Sequence, residues 1–373
     1  MRQTFCRREF LKWGASGTAV ALAGSVGCGC TGVRRSDLPS AANDATVIAP
    51  DLKRLLYLAS LAPSSHNTQP WRVRVVDETH LCLSIDPHRC LPVVDPKLRE
   101  MSISMGAFIE NLAVAALMTG WRVDVSEIAQ SPDADPLCSL LLRPDSVENK
   151  TVNQDMVLGR RTVRKNLSGS ADTVAACNRL SAFRDDTLFI HMKSGLAEKL
   201  GRLTADAFAT QTADDAAQTE LADWIRFKNR NARQKRDGLT TESMEITGVS
   251  GWVVRTFLNR DSVAKESFRE KGLSETKQMV AEGAGWFILT TPTDSVEDCI
   301  DAGRRFERLA LACVPLGISL HPMSQALEYK DTRRALSDFL GIREQPQMLL
   351  RAGQIPERLE PVSLRRRVSD FVV

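Results

Sequence analysis

Residues 62–71 read Ala-Pro-Ser-Ser-His-Asn-Thr-Gln-Pro-Trp, and the rest of the chain is organised around them. A proline near each end stops helix or strand from running through. Upstream, Leu52, Leu55, Leu56, Leu58 and Ala59 recur at helical spacing; downstream, Trp71, Val73 and Val75 alternate with Arg72 and Arg74 as in a strand. A stiff turn between helix and strand presents Ser64, Ser65, Asn67 and Gln69 in one place. Hydroxyls and amides so grouped suit the rim of a planar, heteroatom-rich ligand. The same residue types are the commonest in ordinary polar loops, so composition alone leaves both readings open.

The wording is more specific. Ala-Pro-Ser followed by Asn-x-Gln-Pro-Trp resembles the active-site loop of the nitroreductase superfamily of FMN-dependent oxidoreductases, in particular its Acg-like FMN-binding branch. The resemblance implies that Pro63, Ser64, Ser65, Asn67 and Gln69 contact FMN. A second stretch, Gly159-Arg-Arg-Thr-Val-Arg-Lys165, resembles the family's Arg-Arg-Ser/Thr-x-Arg motif. Arg160, Arg161, Thr162 and Arg164 are thereby expected on the phosphate and on the N1/O2 edge of the ring. Arginine suits both places, because its permanent charge and forked donors match a phosphate and the anionic reduced flavin. By position in the family, Pro322, Met323 and Ser324 lie against the flavin with backbone N–H groups toward N5. A basic residue near the C-terminus reaches the phosphate; Arg366 is the first choice and Arg365 the second. Isolated from each other, these basic clusters would read as solvated turns or tails.

Two helical stretches, Gly106–Gly120 and Gly303–Gly317, match at an offset of 197 residues: Gly106, Glu110, Leu112, Ala113, Ala115 and Gly120 against Gly303, Glu307, Leu309, Ala310, Ala312 and Gly317. Each closes on a glycine C-cap and runs into a strand-like segment. Their small residues allow close helix packing, so both are expected in the core. The repeat suits the Acg-like branch, which resembles a nitroreductase dimer fused into one chain. The expected fold is α+β, with two homologous halves, mixed or antiparallel sheets flanked by helices, and one FMN between the halves. The halves are placed at 50–150 and 151–373, the second carrying a charged helical insertion at about 194–282. Within it, Trp252 and Phe257 belong to an apolar island expected to pack in the core.

The first residues look like an address. Cys6-Arg-Arg-Glu-Phe-Leu-Lys12 resembles a twin-arginine export signal, and the Gly/Ala-rich run after it is weakly apolar. Residues 1–30 are therefore set aside as a signal peptide and 31–49 as a linker, with the protein expected in the periplasm or cell envelope. Ser25-Val-Gly-Cys28 resembles a lipobox, so membrane association would come only through a lipidated Cys28. The whole chain has a net charge of +3, all of it in residues 1–30. A neutral body argues against a nucleic-acid partner. Five scattered histidines offer no metal site, and no Gly-x-Gly-x-x-Gly follows a strand to make a dinucleotide fold. Six cysteines lie in the body without a regular spacing and are expected mostly as small core residues.

The expected function is an FMN-dependent oxidoreductase passing hydride or electrons to a nitroaromatic or quinone-like small-molecule acceptor. The donor stays open between NAD(P)H and a quinol, because an exported protein does not meet cytoplasmic NAD(P)H. The alternative is a flavin-sequestering protein without reductase activity. No side chain is marked in the sequence as an acid or base, so no catalytic residue is named, and the oligomeric state stays open.

Overall fold

The computed structural model describes residues 31–44, 46–145, 153–182, 186–355, 357 and 359–373. The expected export signal and lipobox fall on residues 1–30 and lie outside the described residues.

The first half runs α1 (Pro50–Ala59), β1 (Trp71–Val75), β2 (His80–Ile85), α2 (Arg99–Leu117), β3 (Trp121–Ser126) and β4 (Cys138–Pro144). A short helix, α3 (Gln154–Gly159), leads to the second half. That half holds α4 (Ala171–Ala182), β5 (Thr187–His191), the helices α5 (Gly195–Ala213), α6 (Asp215–Trp224), α7 (Asn229–Lys235), α8 (Gly248–Phe257) and α9 (Glu266–Met279), then β6 (Gly285–Thr291), α10 (Val296–Cys313), β7 (Ile318–Pro322), α11 (Gln325–Glu328), α12 (Lys330–Leu340) and β8 (Gln345–Gln354). Each half forms one four-stranded antiparallel sheet, in the order β1-β2-β4-β3 and β5-β6-β8-β7. The same order in both, with α2 and α10 in equivalent places, is the α+β duplication the repeat implies.

The halves meet where α2 crosses α10, and the crossing is symmetric. A Cβ on Gly106 would lie 2.0 Å from the carbonyl oxygen of Ile300, and one on Gly303 would lie 1.9 Å from that of Ile103. Ile103 and Ile300 are themselves related by the 197-residue offset. Both helices begin seven residues before the repeat that announces them, because Arg99–Met105 and Val296–Ala302 are also helical. Gly120 and Gly317 hold positive φ, as their C-cap role requires.

The two sheets are covered differently. The second is buried on both faces, with Phe287, Leu289 and Leu350 toward α10 and Trp286, Ile288 and Leu349 toward α5, α11 and α12. The first has half-exposed β1 and β3 strands. The C-terminal residues return to the first half. Val73 N–H donates to the Phe371 carbonyl at 2.8 Å and its own carbonyl accepts from Val373 N–H at 2.9 Å. Phe371 packs edge-on to Phe108, which stacks on Trp71.

Two expectations differ from the structure. Residues 31–44, read as linker, lie on the body: Val33 is buried with Ala232 and Leu364, and Ala41 is buried too. Single apolar residues in a polar stretch carry no period that would betray this. Trp252 and Phe257, expected in the core, sit on an exposed face of α8 with Val249, their rings T-shaped at 5.6 Å. The apolar island is a helix, and only Gly251 and Arg255 of it are buried.

Candidate functional site

The 62–71 stretch is a strained turn. His66, Asn67 and Gln69 all take left-handed φ (48°, 53° and 54°). Asn and His tolerate that region best, and each such residue costs of order 1 kcal/mol unless the surroundings over-determine it. They do. Asn67 Nδ2 donates to the Gly238 carbonyl at 3.1 Å and the Leu364 carbonyl at 3.2 Å, while its Oδ1 accepts from Arg365 Nη1 at 3.0 Å. Gln69 Nε2 donates to the Arg236 carbonyl at 3.0 Å and Oε1 accepts from the Arg366 N–H at 2.8 Å. Gln69 N–H donates to Ser64 Oγ at 2.9 Å. Asn67 and Gln69, expected to face the ligand, are thus buried and already bonded. They tie the turn to the helical insertion and the C-terminal tail. Pro63, Ser64 and Ser65 are half-buried, and Ser65 Oγ donates to the Glu100 carboxylate.

The arginine stretch lies against the same turn. Arg160 Nε is 3.2 Å from Glu307 Oε1, and its Nη2 donates to the Leu61 carbonyl at 3.4 Å. Thr162 bridges to Leu320, and Val163 N–H donates to the Leu320 carbonyl at 3.4 Å. That bridge brings Pro322, Met323 and Ser324 beside the arginines. Glu245, from the insertion, accepts from the backbone N–H groups of Arg164 and Lys165 at 3.1 Å and 3.0 Å, and lies 3.4 Å from Arg161 Nη2. Arg161 Nη1 also donates to the Glu360 carbonyl at 2.6 Å. Arg164 is different: among the described residues nothing hydrogen-bonds or ion-pairs with its guanidinium. Burial lowers its pKa, with Glu245 opposing and Arg161 adding to the shift. The neighbouring rings of His66 and His321 feel its charge and, being buried, stay neutral at neutral pH.

Of the 322–324 segment, Pro322 has no N–H. Met323 N–H is spent on the Leu349 carbonyl at 2.9 Å, and its side chain lies in the core. Ser324 is the one of the three that can still offer a backbone donor.

The two C-terminal arginines part company. Arg365 runs under the turn, donating to the carbonyls of Leu61 at 2.9 Å and Ala62 at 3.2 Å. Burial pushes its pKa well down, and the charges of Arg35 and Arg160 push the same way. Arg35 in turn donates to the Leu158 carbonyl at 2.9 Å. Arg366 points elsewhere, donating to the Gln69 carbonyl at 2.9 Å and lining a groove of about 1130 Å³ with Asp86, Arg89, Trp224 and Asp237. The structure brings Arg365, the second choice, beside the other arginines, and sets Arg366, the first choice, apart from them. Glu307 is the fully buried carboxylate of this cluster; burial outweighs Arg160 and Arg365 and pushes its carboxyl up to about 7.

Arg160 and Arg365 share Glu307, Arg35 adds its charge beside them, and the Arg164 guanidinium has no partner among the described residues, so the region holds cationic donors in excess of acceptors. Such a site is completed by an anionic, oxygen-rich ligand. The charge and hydrogen-bonding chemistry of this donor set fits FMN, the group that the sequence resemblance implies. Arg35, Glu100, Glu245 and Glu307 escaped the sequence reading, because each lies far along the chain from its partners. Only Glu307 left a trace, as a matched position of the repeat.

No protein-family profile matches the chain. Among curated proteins, it is 29% identical over 321 residues to PigM of Serratia sp., described as an inferred NAD(P)H nitroreductase, spanning 81% of this chain and 88% of that one. It is 26% identical over 343 residues to a Mycobacterium tuberculosis protein with the same kind of description, spanning 90% and 94%. The M. tuberculosis protein acg, likewise described, is 24% identical over 322 residues, spanning 85% and 93%. Among solved structures, the FMN-dependent nitroreductase NfnB of Mycobacterium smegmatis, in complex with NADPH, gives a TM-score of 0.35 at 16% identity, over 54% of this chain and 87% of that one. A structure from Anabaena variabilis gives 0.33 at 11% identity, over 94% and 97%. The chain thus has homologues among nitroreductase-family proteins, at 24–29% identity over most of its length.

Proposed function

We propose that the protein is an FMN-dependent oxidoreductase of nitroreductase type, which passes reducing equivalents to a nitroaromatic or quinone-like acceptor. The observation that carries this reading is the half-buried Arg164 guanidinium, without a partner among the described residues. It stands where the 63–69 turn, the 160–165 stretch and the 322–324 segment converge from three distant parts of the sequence. Bound FMN would accept and release hydride at its ring. The chain's own residues bind, orient and screen. Arg160 and Arg161 offer charged donors to a phosphate, and Arg365, buried with its Nη donors spent on carbonyls and Asn67, adds positive charge behind them. Arg164 offers its fork to the ring edge, where it would favour the anionic reduced form. The bonds of Asn67 and Gln69 hold Pro63, Ser64 and Ser65 in a conformation they would not keep alone. The descriptions of the relatives favour NAD(P)H as donor; a quinol replaces it if the protein is exported to the periplasm or cell envelope.

A second reading is supported by Glu245. It fastens the insertion across Arg161, Arg164 and Lys165, as would suit a protein that sequesters flavin rather than turning it over. Absorbance spectra through anaerobic addition of NADPH and then dithionite separate the two. A yellow protein bleached by NADPH is a reductase, and one bleached only by dithionite is a store or uses another donor. A protein that stays colourless after reconstitution with FMN overturns both. Arg164→Met tests the residue. FMN affinity should fall by roughly 10- to 150-fold, the worth of about 1.5–3 kcal/mol for a charged hydrogen bond. The cofactor-free protein should be at least as stable as the parent, since a partly buried unpaired charge is removed.

A further inference from the structure

Of the nine large apolar side chains exposed among the described residues, three stand on the ten-residue helix α8: Val249, Trp252 and Phe257, at 74%, 37% and 64% exposure. Gly251, Val254, Arg255 and Leu258 form the inner face of this segment at helical spacing. Val254 and Leu258 pack against Ala222, Ile225, Phe227 and Val263. Arg255 Nη1 donates to Thr241 Oγ1 at 2.8 Å and lies 3.4 Å from Glu242. Val249, Trp252, Val253 and Thr256 therefore share the outer face, with Phe257 beside them. The ring contact between Trp252 and Phe257 is made on that exposed side.

The border of this face is basic. No Asp or Glu occurs from Ile246 to Arg260; Asp261 is the first acid beyond. Lys228 Nζ donates to the carbonyls of Arg255 and Thr256 at 2.7 Å and 3.0 Å, which brings the start of α7 to the end of α8 where Phe257 stands. Residues 228–236 read Lys-Asn-Arg-Asn-Ala-Arg-Gln-Lys-Arg, without an acid. Arg230 and Arg233 are exposed and form no ion pair among the described residues. The neighbouring acids Asp223, Asp237 and Glu242 are held by Arg260, Arg226 and Arg255. The N-terminal part of the chain arrives at the same place. The Thr31 carbonyl accepts from Asn229 Nδ2 at 3.1 Å, and Gly32 N–H donates at 2.7 Å to Glu242, the partner of Arg255 on α8. Residues 1–30 thus join the body beside α8, and Cys28 is three residues from Thr31, a reach of about 10 Å.

We propose that the outer face of α8 is a membrane-contact surface, which lays Val249, Trp252 and Phe257 into the interfacial layer of an anionic bilayer and sets Arg230 and Arg233 on its headgroup phosphates. Aromatic and aliphatic residues on one helix face, bordered by arginines, match the boundary between headgroups and acyl chains, where Trp is especially favoured. A second copy docked on this face would bring two basic edges together, which disfavours it. One weak attachment gives only reversible binding, and a second at the same spot makes it lasting. Any attachment made by residues 1–30 falls at that spot, because they join the body within reach of α8. The proposal is independent of what the arginine site binds.

The test is co-sedimentation of the full chain with vesicles of phosphatidylcholine alone and of phosphatidylcholine mixed with phosphatidylglycerol. Val249→Ser combined with Phe257→Ser should weaken binding to the mixed vesicles by roughly 30- to 100-fold, the worth of two exposed apolar side chains withdrawn from water. Arg230→Gln combined with Arg233→Gln should weaken it by roughly 30-fold on the mixed vesicles and leave binding to phosphatidylcholine unchanged. Val47→Ser, an exposed valine outside α8, should change neither. The substituted side chains are exposed, so urea midpoints should match the parent and show that the variants are folded. Equal binding by the parent and the double serine variant, as when residues 1–30 alone hold the membrane, overturns the role of α8. Vesicles with brominated acyl chains should quench tryptophan fluorescence in the parent and less in Trp252→Phe; equal quenching also overturns it. A parent that sediments as a dimer without vesicles, and as a monomer after the two serine substitutions, assigns the face to a second copy and overturns the proposal.

Discussion

Gly303→Ala tests the crossing on which both halves and the site depend. In an ordinary helix interior, alanine is better than glycine by about 1 kcal/mol, so the bare expectation is a gain in stability. Here a Cβ on residue 303 would lie 1.9 Å from the Ile103 oxygen, 2.7 Å from its carbon and 3.0 Å from the Ala107 nitrogen. All three are backbone atoms of α2, so no side chain can swing away. Real Cβ contacts essentially never fall below 3.0 Å, so α2 and α10 must part by about 1 Å. A gap of that size forfeits a quarter to a half of each dispersion contact across it. Overpacking of this kind costs about 1–3 kcal/mol and more where backbone cannot yield; we take about 4 and subtract the propensity gain, leaving a net loss of about 3 kcal/mol. The assay is urea unfolding, reading a lowered midpoint at unchanged slope. Gly106→Ala should behave alike, its Cβ meeting the Ile300 oxygen at 2.0 Å. The double variant should cost less than the sum, because one separation relieves both clashes. Gly195→Ala, with nothing within 4 Å of its Cβ, is the control and should be neutral or slightly stabilising. A Gly303→Ala protein as stable as the parent refutes the close crossing.

Three further outcomes follow from particular contacts. Glu307 holds its proton in the folded state up to about 7, against an ordinary value of 4.5. Its favourable contribution is thus complete below about pH 4.5 and lost as pH rises through about 7, and Glu307→Gln should gain on the parent by up to ~3 kcal/mol between pH 5 and 8. Parallel pH–stability curves for the two proteins would contradict this. Gln69→Ala leaves the Arg366 N–H and the Arg236 carbonyl buried without their partner, so urea unfolding should register a loss of about 2 kcal/mol; a change within experimental error would mean the turn is held otherwise. Glu245→Gln weakens charge-assisted bonds to Arg161, Arg164 and Lys165 and should speed release of bound FMN by roughly 10-fold in stopped-flow fluorescence, while an unaltered rate would remove the insertion from the path of the cofactor.

Local pattern alone determined much of this protein. Proline placement marked the 62–71 turn, alternation marked β1, and the 197-residue repeat marked the α2–α10 pair together with its glycine caps. These are legible because short-range sterics and periodic burial leave their mark on neighbouring residues. The kinds of residue in the site were legible too, since an anionic ligand calls for arginine wherever it binds. What only tertiary structure decided is which of those residues are free to bind. Asn67 and Gln69 carry the right amides but spend them on Gly238, Leu364, Arg236 and Arg366, while the Arg164 guanidinium has no partner among the described residues. Arg365 and Arg366 are neighbours with the same side chain, yet one lies under the turn and the other lines the groove beyond it. Glu100, Glu245 and Arg35 enter from distant stretches with no motif of their own. Hydrogen bonds and charges are satisfied pairwise in space, and a residue's remaining capacity depends on partners that sequence separation does not reveal.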